Sequence, residues 1–263
     1  EVSRSKRKNK DSQVVDLEFP KKIKFDYLPK ASVAGPSAFL SIQEGCDKFC
    51  TFCVVPYTRG AEYSRSIESI LDEAKQLIES GTKEITLLGQ NVNAYHGLKE
   101  HSTRKQEFGL GYLIRRIAEI NGLKRLRYIT SHPKDMNDDL ISAHGEVELL
   151  MPFLHLPVQS GSDQVLERMN RQHKVKDYIL VVEKLLSARP ELRLSSDFIV
   201  GFPGESDADF EATISLIREV KFLQAYSFKF SPRPGTPGAT LENQIPSNIK
   251  DSRLALLQDI LLG

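Results

Sequence analysis

All three cysteines of this 263-residue chain lie in one short segment, at Cys46, Cys50 and Cys53. Their spacing is C-x3-C-x2-C, which places three thiols in one loop. Structural zinc takes four protein ligands, and a 4Fe-4S cube takes one ligand on each iron. Three cysteines without a fourth would leave one iron of such a cube open to a small molecule. The spacing therefore favours an iron–sulfur site.

Other interpretations of the cysteines remain open. Disulfides are disfavoured because the number of cysteines is odd and their separations are short for the geometry of a bridge. Three unrelated buried thiols are the simplest alternative. A zinc site is another, and it would make the chain a non-catalytic, zinc-stabilised binding module. Its fourth ligand would be a histidine, with these candidates: His96, His132, His144 and His155.

Composition and charge limit the class of protein. The chain is 40% hydrophobic and carries 36 basic and 35 acidic residues, for a net charge of +1. This balance gives no overall electrostatic attraction to nucleic acid. A basic run of Arg4, Lys6, Arg7, Lys8 and Lys10 is expected to be a solvated tail. The sequence shows neither a signal peptide nor a membrane span, and unpaired cysteines fit a cytoplasmic location.

Strand-like and helix-like segments alternate from residue 38 onward. Strands are predicted at 38–42, 84–88, 125–130, 153–156, 194–200 and 225–230. Helices are predicted at 67–80, 110–120, 138–144, 162–169, 175–188, 207–220 and 249–262. Strands that alternate with helices imply an α/β fold with parallel strands and outer helices. Six such units predict a partial (β/α)6 barrel, with a doubly wound open sheet as the alternative.

The predicted organisation has three parts. Residues 1–36 are interpreted as a linker, 37–246 as the core domain, and 247–263 as a C-terminal helix. Polar segments rich in Gly and Pro follow every predicted strand. In α/β folds, active sites are built at this carboxyl edge of the sheet. The cysteine segment follows the first strand, so we expect the other segments to gather around it.

Five motifs together resemble the methylthiotransferases of the radical S-adenosylmethionine (SAM) superfamily. They are GCDKFCTFCVVPYTRG (45–60), LLGQNVNAY (87–95), TSHP (130–133), LPVQSGS (156–162) and SSDFIVGFPGE (195–205). The VVPYTRG and GQNVNAY stretches resemble the members that modify tRNA. The resemblance extends over about residues 37–260 and implies the partial (β/α)6 barrel of the radical SAM type.

The resemblance also implies an activity. The three cysteines would hold a 4Fe-4S cluster, and SAM would bind its open iron and be cleaved by one electron to a 5′-deoxyadenosyl radical. The expected reaction is methylthiolation of isopentenyladenosine at position 37 of tRNA. Threonylcarbamoyladenosine in tRNA and a ribosomal protein are the alternative substrates. Flavodoxin or ferredoxin is the expected electron donor, and a monomer is the expected state.

Site residues follow from the resemblance by position. The expected SAM-binding residues are Gly89, Gln90, Asn91, Gln159, Ser160, Ser195, Asp197, Ile199 and Gly201. Arg59, His132 and Arg233 are candidates on the substrate side. Two departures weaken the analogy: GQN stands in place of a common GGE, and Asp197 and Glu205 disturb a G-x-I-x-G-x-x-E pattern. Phe228 and Phe230 are interpreted as core residues.

The chain lacks parts that the resemblance would supply. Methylthiotransferases carry an N-terminal domain with three further cysteines for a second 4Fe-4S cluster, and a small C-terminal β-barrel, the TRAM domain, that grips tRNA. With neither apparent, the sequence is interpreted as a fragment with weak tRNA affinity. It is expected to cleave SAM without completing sulfur insertion, since the second cluster belongs to the full-length enzyme.

Overall fold

The computed structural model describes residues 35–98 and 106–262, with the side chain of the last residue left out. Every candidate site residue lies within these ranges. The basic run and nearly all of the predicted linker lie outside them. Within the described ranges, no helix combines the length and the apolar character that a membrane span requires.

The structure contains the six predicted strands and, in addition, two short antiparallel pairs of strands. In chain order they are β1 (Ser37–Ser41), β2 (Gln43–Glu44), β3 (Tyr63–Ser64), β4 (Glu84–Leu88), β5 (His96–Leu98), β6 (Glu107–Gly109), β7 (Arg125–Tyr128), β8 (Phe153–His155), β9 (Arg193–Val200) and β10 (Gln224–Lys229). The additional strands form the antiparallel pairs β2–β3 and β5–β6. The six parallel strands, β1, β4, β7, β8, β9 and β10, are those that the sequence predicts.

The helices begin and end close to the predicted positions. They are α1 (Val55–Arg59), α2 (Ile67–Glu79), α3 (Leu110–Ala118), α4 (Asp138–Glu146), α5 (Asp163–Arg168), α6 (Val175–Ala188), α7 (Asp207–Val220), α8 (Pro237–Thr240) and α9 (Ser247–Leu262). Side-chain caps explain the boundaries. Ser66 accepts a hydrogen bond from the backbone of Ser69 at the start of α2, and Ser206 and Asp209 form a capping box at the start of α7.

The parallel strands follow one another in space in the order of the chain. β1, β4 and β7 form one half of the sheet, and β8, β9 and β10 form the other. A single parallel bridge between Leu126 and Leu150 joins the halves. Because the order never reverses, the sheet is not doubly wound, and the partial (β/α)6 barrel is confirmed.

Two apolar clusters hold the elements together. The larger lies between the strands and the outer helices, and includes Leu40, Ile85, Leu126 and Leu154. Along β4, Ile85 and Leu87 are buried and the residues between and beside them are not, as expected when one face of a strand packs on helices. The smaller cluster consists of Val165, Met169, Phe202 and Phe230, with Phe52, Ile199 and Leu241 partly buried against it. It lies at the carboxyl edge and connects the predicted site to the core.

Two expectations about strands need correction. The third strand ends at Tyr128 rather than at residue 130, because Thr130 takes a left-handed φ of +68° that a strand cannot accommodate. Phe228 was expected in the core, but its side chain is 53% exposed. It lies beside Ile199 in the parallel register, on the inner face of the sheet. Phe230 is buried as expected.

Acid is expected to destabilise this fold through buried neutral histidines. Burial, followed by the nearby Arg189, lowers the pKa of His144 to about 4. Its Nε2 lies 2.6 Å from the hydroxyl of Tyr128. Since the unfolded chain takes up this proton near pH 6.5 and the folded chain only near pH 4, this histidine should remove up to about 3 kcal/mol of stability across that interval.

Urea unfolding of the metal-free chain between pH 7 and pH 4 measures this loss. His144→Gln should flatten the pH dependence, whereas Tyr128→Phe should lower stability without flattening it, because it retains the imidazole. Parallel pH profiles for the wild type and His144→Gln would contradict the assignment.

Candidate active site at the carboxyl edge of the sheet

The cysteine loop, residues 45–54, lies between β2 and α1 and is fixed by backbone hydrogen bonds. The Cys46 N–H donates to the Gly60 carbonyl (3.3 Å), and the Cys53 N–H donates to the Cys50 carbonyl (2.9 Å). Gly45 opens the loop with a φ of +75°, and a Cβ there would overlap the Ala61 carbonyl. Only glycine combines this dihedral with so close an approach of two backbone segments.

The segment after α5, residues 169–170, is hydrogen-bonded to the cysteine loop. The Thr51 N–H donates to the carbonyl of Met169 (3.1 Å). The Asn170 side-chain amide donates to the carbonyls of Lys48 (3.2 Å) and Phe49 (3.0 Å). Two sequence regions more than a hundred residues apart therefore set the shape of the cysteine loop together.

Arg171 brings a positive charge directly to the cysteines. Its guanidinium donates to the Sγ of Cys50 (3.5 Å) and to the carbonyl of Pro157. Arg171 is only 5% exposed, so its charge is little screened by water. Arg171 therefore places a poorly screened positive charge beside one of the three thiols.

The three thiols are free and partly or fully buried. Burial raises the pKa of Cys46 to about 11, and the neighbouring Cys50, Glu62 and Cys53 raise it further, while a backbone hydrogen bond from Lys48 opposes them. Burial likewise raises the pKa of Cys53. Cys46 and Cys53 therefore keep their protons in the absence of a metal and would become thiolates when a metal displaces those protons.

The donor set fits an iron–sulfur cube better than a single metal ion. Within the described ranges, no group of three or more His, Cys, Asp or Glu side chains is placed to hold one ion. A cube does not need that convergence, because each thiolate binds a different iron. Candidate zinc ligands have other partners: His144 contacts Tyr128 and His155 contacts Ser195.

The segment after β4 is bonded to the cysteine loop. The side-chain oxygen of Gln90 accepts a hydrogen bond from the Gly45 N–H (2.7 Å). The Asn91 amide donates to Asp135 (2.8 Å), which pairs with Lys48 at 2.6 Å. Gln90 and Asn91 thus contribute side-chain contacts that brace the loop.

Gly89 precedes Gln90 and Asn91 and lies close against Gln43. A Cβ at this position would meet the side-chain oxygen of Gln43 at 2.5 Å. Close packing against Gln43 thus explains why a glycine follows β4.

The segment after β8 turns sharply at Gln159, whose φ is +79°. The Gln159 N–H donates to the Asp197 carbonyl (3.0 Å), and the Ile199 N–H donates to the Gln159 carbonyl (2.9 Å). Ser160 is fully buried, and its hydroxyl lies 3.3 Å from that of Thr213. Gln159 therefore lies at the edge, while the Ser160 side chain points into the packing against α7.

Strand β9 presents Ser195, Asp197 and Ile199 on one face, at alternate positions. His155 of β8 joins them: its Nδ1 lies 2.8 Å from the Ser195 hydroxyl, and its Nε2 lies 3.5 Å from the Asp197 carboxylate. The parallel register places Tyr226 beside Asp197. The inner face of the sheet thus carries a polar group that includes His155, which the sequence offered only as a candidate zinc ligand.

Phe52 is a residue that sequence reasoning missed. It stands between Cys50 and Cys53 in the chain and packs on the smaller apolar cluster, against which Ile199 also packs. This cluster connects the cysteine loop with the end of β9. Strand alternation gives a signal for His155, but a single aromatic residue in a loop gives none for Phe52.

The three substrate-side candidates lie in different environments. Arg59 is exposed at the end of α1, and Arg233 is exposed in the segment after β10. His132 is 4% exposed, and its ring lies 5.6 Å from that of His173. Burial and the neighbouring Arg171 hold the pKa of His132 far below its usual range. The structure brings His132 under the cysteine loop and not to the surface.

A parallel sheet with a three-cysteine loop at its carboxyl edge defines a class of enzyme. The sequence matches the Radical SAM superfamily over residues 40–217, and the chain belongs to that superfamily. Solved structures agree in fold. The radical SAM methyltransferase TsrM of Kitasatospora setae, solved with cobalamin and a 4Fe-4S cluster, gives a TM-score of 0.61 at 18% identity, covering 76% of this chain and 38% of that one.

A second solved structure and the curated relatives narrow the comparison. Coproporphyrinogen III oxidase (HemN) from Escherichia coli gives a TM-score of 0.57 at 14% identity, covering 86% of this chain and 53% of that one. The tRNA-2-methylthio-N(6)-dimethylallyladenosine synthase of Bartonella quintana (strain Toulouse) is 58% identical over 255 residues, 95% of this chain and 55% of that protein. The protein of the same name from Erythrobacter litoralis is 58% identical over 94% of this chain and 54% of its own length.

The resemblance to methylthiotransferases is thus confirmed. The chain spans about half the length of these relatives.

Proposed function

We propose that this chain generates the radical in a tRNA methylthiotransferase, with Cys46, Cys50 and Cys53 as the ligands of a 4Fe-4S cluster. The observation that carries the proposal is a loop with three thiols that lacks a fourth cysteine. This loop is bonded to the segments after β4 and α5. When bound, the cluster supplies the electron that cleaves SAM.

The chain's own residues would bind and orient SAM beside the loop. Gly89, Gln90 and Asn91 offer a backbone edge whose position the Gln90–Gly45 hydrogen bond fixes. Gln159, Ser195 and Asp197 offer polar groups, and Ile199 and Gly201 offer an apolar edge. Ser160 would act by holding the turn at Gln159 through its packing. The apolar surroundings of Phe52 would keep water from a reactive intermediate.

The proposed substrate is isopentenyladenosine at position 37 of tRNA, supported by the names of the relatives that are 58% identical. Threonylcarbamoyladenosine in tRNA and a ribosomal protein are the alternatives. Exposed Arg59 and Arg233 would contact the RNA. Buried His132 would influence the substrate side only indirectly, through its packing near the cysteine loop. Flavodoxin or ferredoxin would supply the electron. We assign 37–246 to the catalytic core and 247–263 to a helix that completes it.

With dithionite as the electron source, the chain reconstituted with iron and sulfide should convert SAM to 5′-deoxyadenosine. It should leave tRNA without a methylthio group, because its three cysteines leave no thiolates for a second, sulfur-donating cluster. Affinity for tRNA should be weak, because a chain with a net charge of +1 releases few counterions when it binds. Mass spectrometry of tRNA nucleosides after incubation checks the expectation.

Two results would contradict the proposal that this chain cleaves SAM while a second cluster donates the sulfur. Methylthio product from the chain alone would mean that sulfur reaches the substrate without a second cluster. A colourless protein that contains zinc and lacks a visible iron–sulfur absorption band would favour the zinc-stabilised binding module. A variant with Cys50→Ala serves as the control for adventitious iron.

A further inference from the structure

The C-terminal helix α9 packs against the end of β9, where SAM is proposed to bind. Lys250 donates from its Nζ to the carbonyl of Phe230 (3.2 Å) and lies over that ring. The carbon chain of Lys250 covers Gly201 so closely that a Cβ at Gly201 would collide with it. The helix thus contacts the very turn that ends β9.

The turn at Gly201 depends on one buried carboxylate. Gly201 has a φ of +68°, and its N–H donates to Oε2 of Glu205 (2.6 Å). Glu205 is 3% exposed. Its carboxylate therefore reaches back four residues to fix the backbone at the end of the strand.

A buried carboxylate needs a charged partner, and α9 provides it. Arg253, 7% exposed, donates through Nη1 to Oε2 of Glu205 (2.7 Å) and to the Glu205 carbonyl (3.1 Å). Its Nη2 donates to the exposed carboxylate of Asp207 at 2.7 Å. Burial raises the pKa of Glu205, which the Gly201 N–H and Arg253 oppose. Removal of one partner from such a pair strands the other charge in the interior.

This arrangement points to the C-terminal helix as a part of the SAM site. We propose that Arg253 is a positioning residue for SAM: it holds the Glu205 carboxylate, which in turn fixes the Gly201 turn against which the adenosine part of SAM binds. The proposal rests on the proposed function. Ile199, two residues before this turn, and Phe52 of the cysteine loop both pack on the smaller apolar cluster, so a ligand extending from the thiols along β9 would meet Gly201.

A purely structural role for α9 is the competing explanation, and the same helix offers a matched control. Asp251, two residues from Arg253, forms an exposed ion pair with Lys229 of β10 at 2.5 Å. Asp251→Asn therefore removes a bond between α9 and the sheet without touching Glu205. Arg253→Met removes the guanidinium and retains much of the side-chain volume, and Arg253→Lys retains one charge.

The test measures iron content, SAM affinity, and the electron paramagnetic resonance spectrum of the reduced cluster with and without SAM. Arg253→Met should keep its iron and its SAM-free spectrum but bind SAM about tenfold to a hundredfold more weakly, because small displacements of a binding edge have effects of this size. The KM for SAM should rise more than kcat falls. Arg253→Lys should recover part of the affinity, and Asp251→Asn should behave as the wild type.

The possible failures are distinguishable. A wild-type spectrum that does not respond to SAM would overturn the proposed function and this inference with it. A SAM response in Arg253→Met equal to that of the wild type would overturn the inference alone. If Arg253→Met loses its iron, Arg253→Lys decides: wild-type affinity or a simultaneous loss of iron would overturn the positioning role, and weakened SAM binding with full iron content would support it.

Discussion

Replacing any one of Cys46, Cys50 or Cys53 with alanine is expected to abolish the cluster and reduce SAM cleavage to background. The sequence contains no other cysteine that could take over as a ligand. In the Cys50 variant, the Arg171 guanidinium would also lose the thiol to which it donates. Iron and sulfide analysis after anaerobic reconstitution, together with the visible spectrum and the yield of 5′-deoxyadenosine, measures the effect.

Thr58→Ala is the matched control for this loss. Thr58 lies in α1, directly after the cysteine loop. Its exposed hydroxyl donates to the backbone carbonyls of Val54 and Val55, and water can take over as the hydrogen-bond partner of these carbonyls. This variant should retain its iron and its activity. Near-normal iron and cleavage in any single cysteine variant would show that three thiolates are not required.

Gly45→Ala should have an effect almost as large without removing a ligand. A methyl group there would overlap the Ala61 carbonyl, and the residue would still need its left-handed φ. Relief would require the backbone on one side of the cysteine loop to move. We expect destabilisation by roughly 2 to 4 kcal/mol and loss of most of the cluster, in keeping with strain at such backbone positions. Thermal unfolding and iron content after reconstitution measure both effects.

Gly35→Ala separates this effect from the general cost of replacing a glycine. Within the part of the chain that the structure describes, a Cβ at Gly35 would meet nothing within 4 Å, and the residue precedes β1, at the other end of that strand from the loop. Its stability and iron content should remain those of the wild type. A Gly45→Ala variant with full iron content and unchanged stability would disprove the close approach.

The fold was predictable because its signals are local. Several strands bury alternate residues on the outer helices, as β4 does with Ile85 and Leu87, and several helices begin at a side-chain cap. The capping box of Ser206 and Asp209 fixes the start of α7 at the predicted residue. Phe228 misled the prediction because alternation reveals that a face is apolar but not whether anything covers it.

The site was less predictable because its contacts join distant parts of the sequence. The bond from Arg171 to Cys50 spans 121 residues, and nothing near Arg171 marks it as a neighbour of a thiol. The motif that ends at Glu205 was noticed only as a departure from a pattern. Its partner Arg253 lies 48 residues further on, in a segment that the sequence predicts only as a C-terminal helix. Such pairs become visible only when the sheet has brought its carboxyl ends together.

The agreement between chain order and strand order has a consequence for synthesis on the ribosome. Within each half of the sheet, a parallel strand pairs with the one that emerged before it, so no strand has to wait for a later segment and then insert between two neighbours. Every crossover closes a loop of moderate length, for which the entropic cost grows slowly. The sheet can therefore assemble from its N-terminal side as the chain emerges. Because α9 follows all six strands in the chain, the Gly201 turn gains its Arg253 support only after those strands have been synthesised.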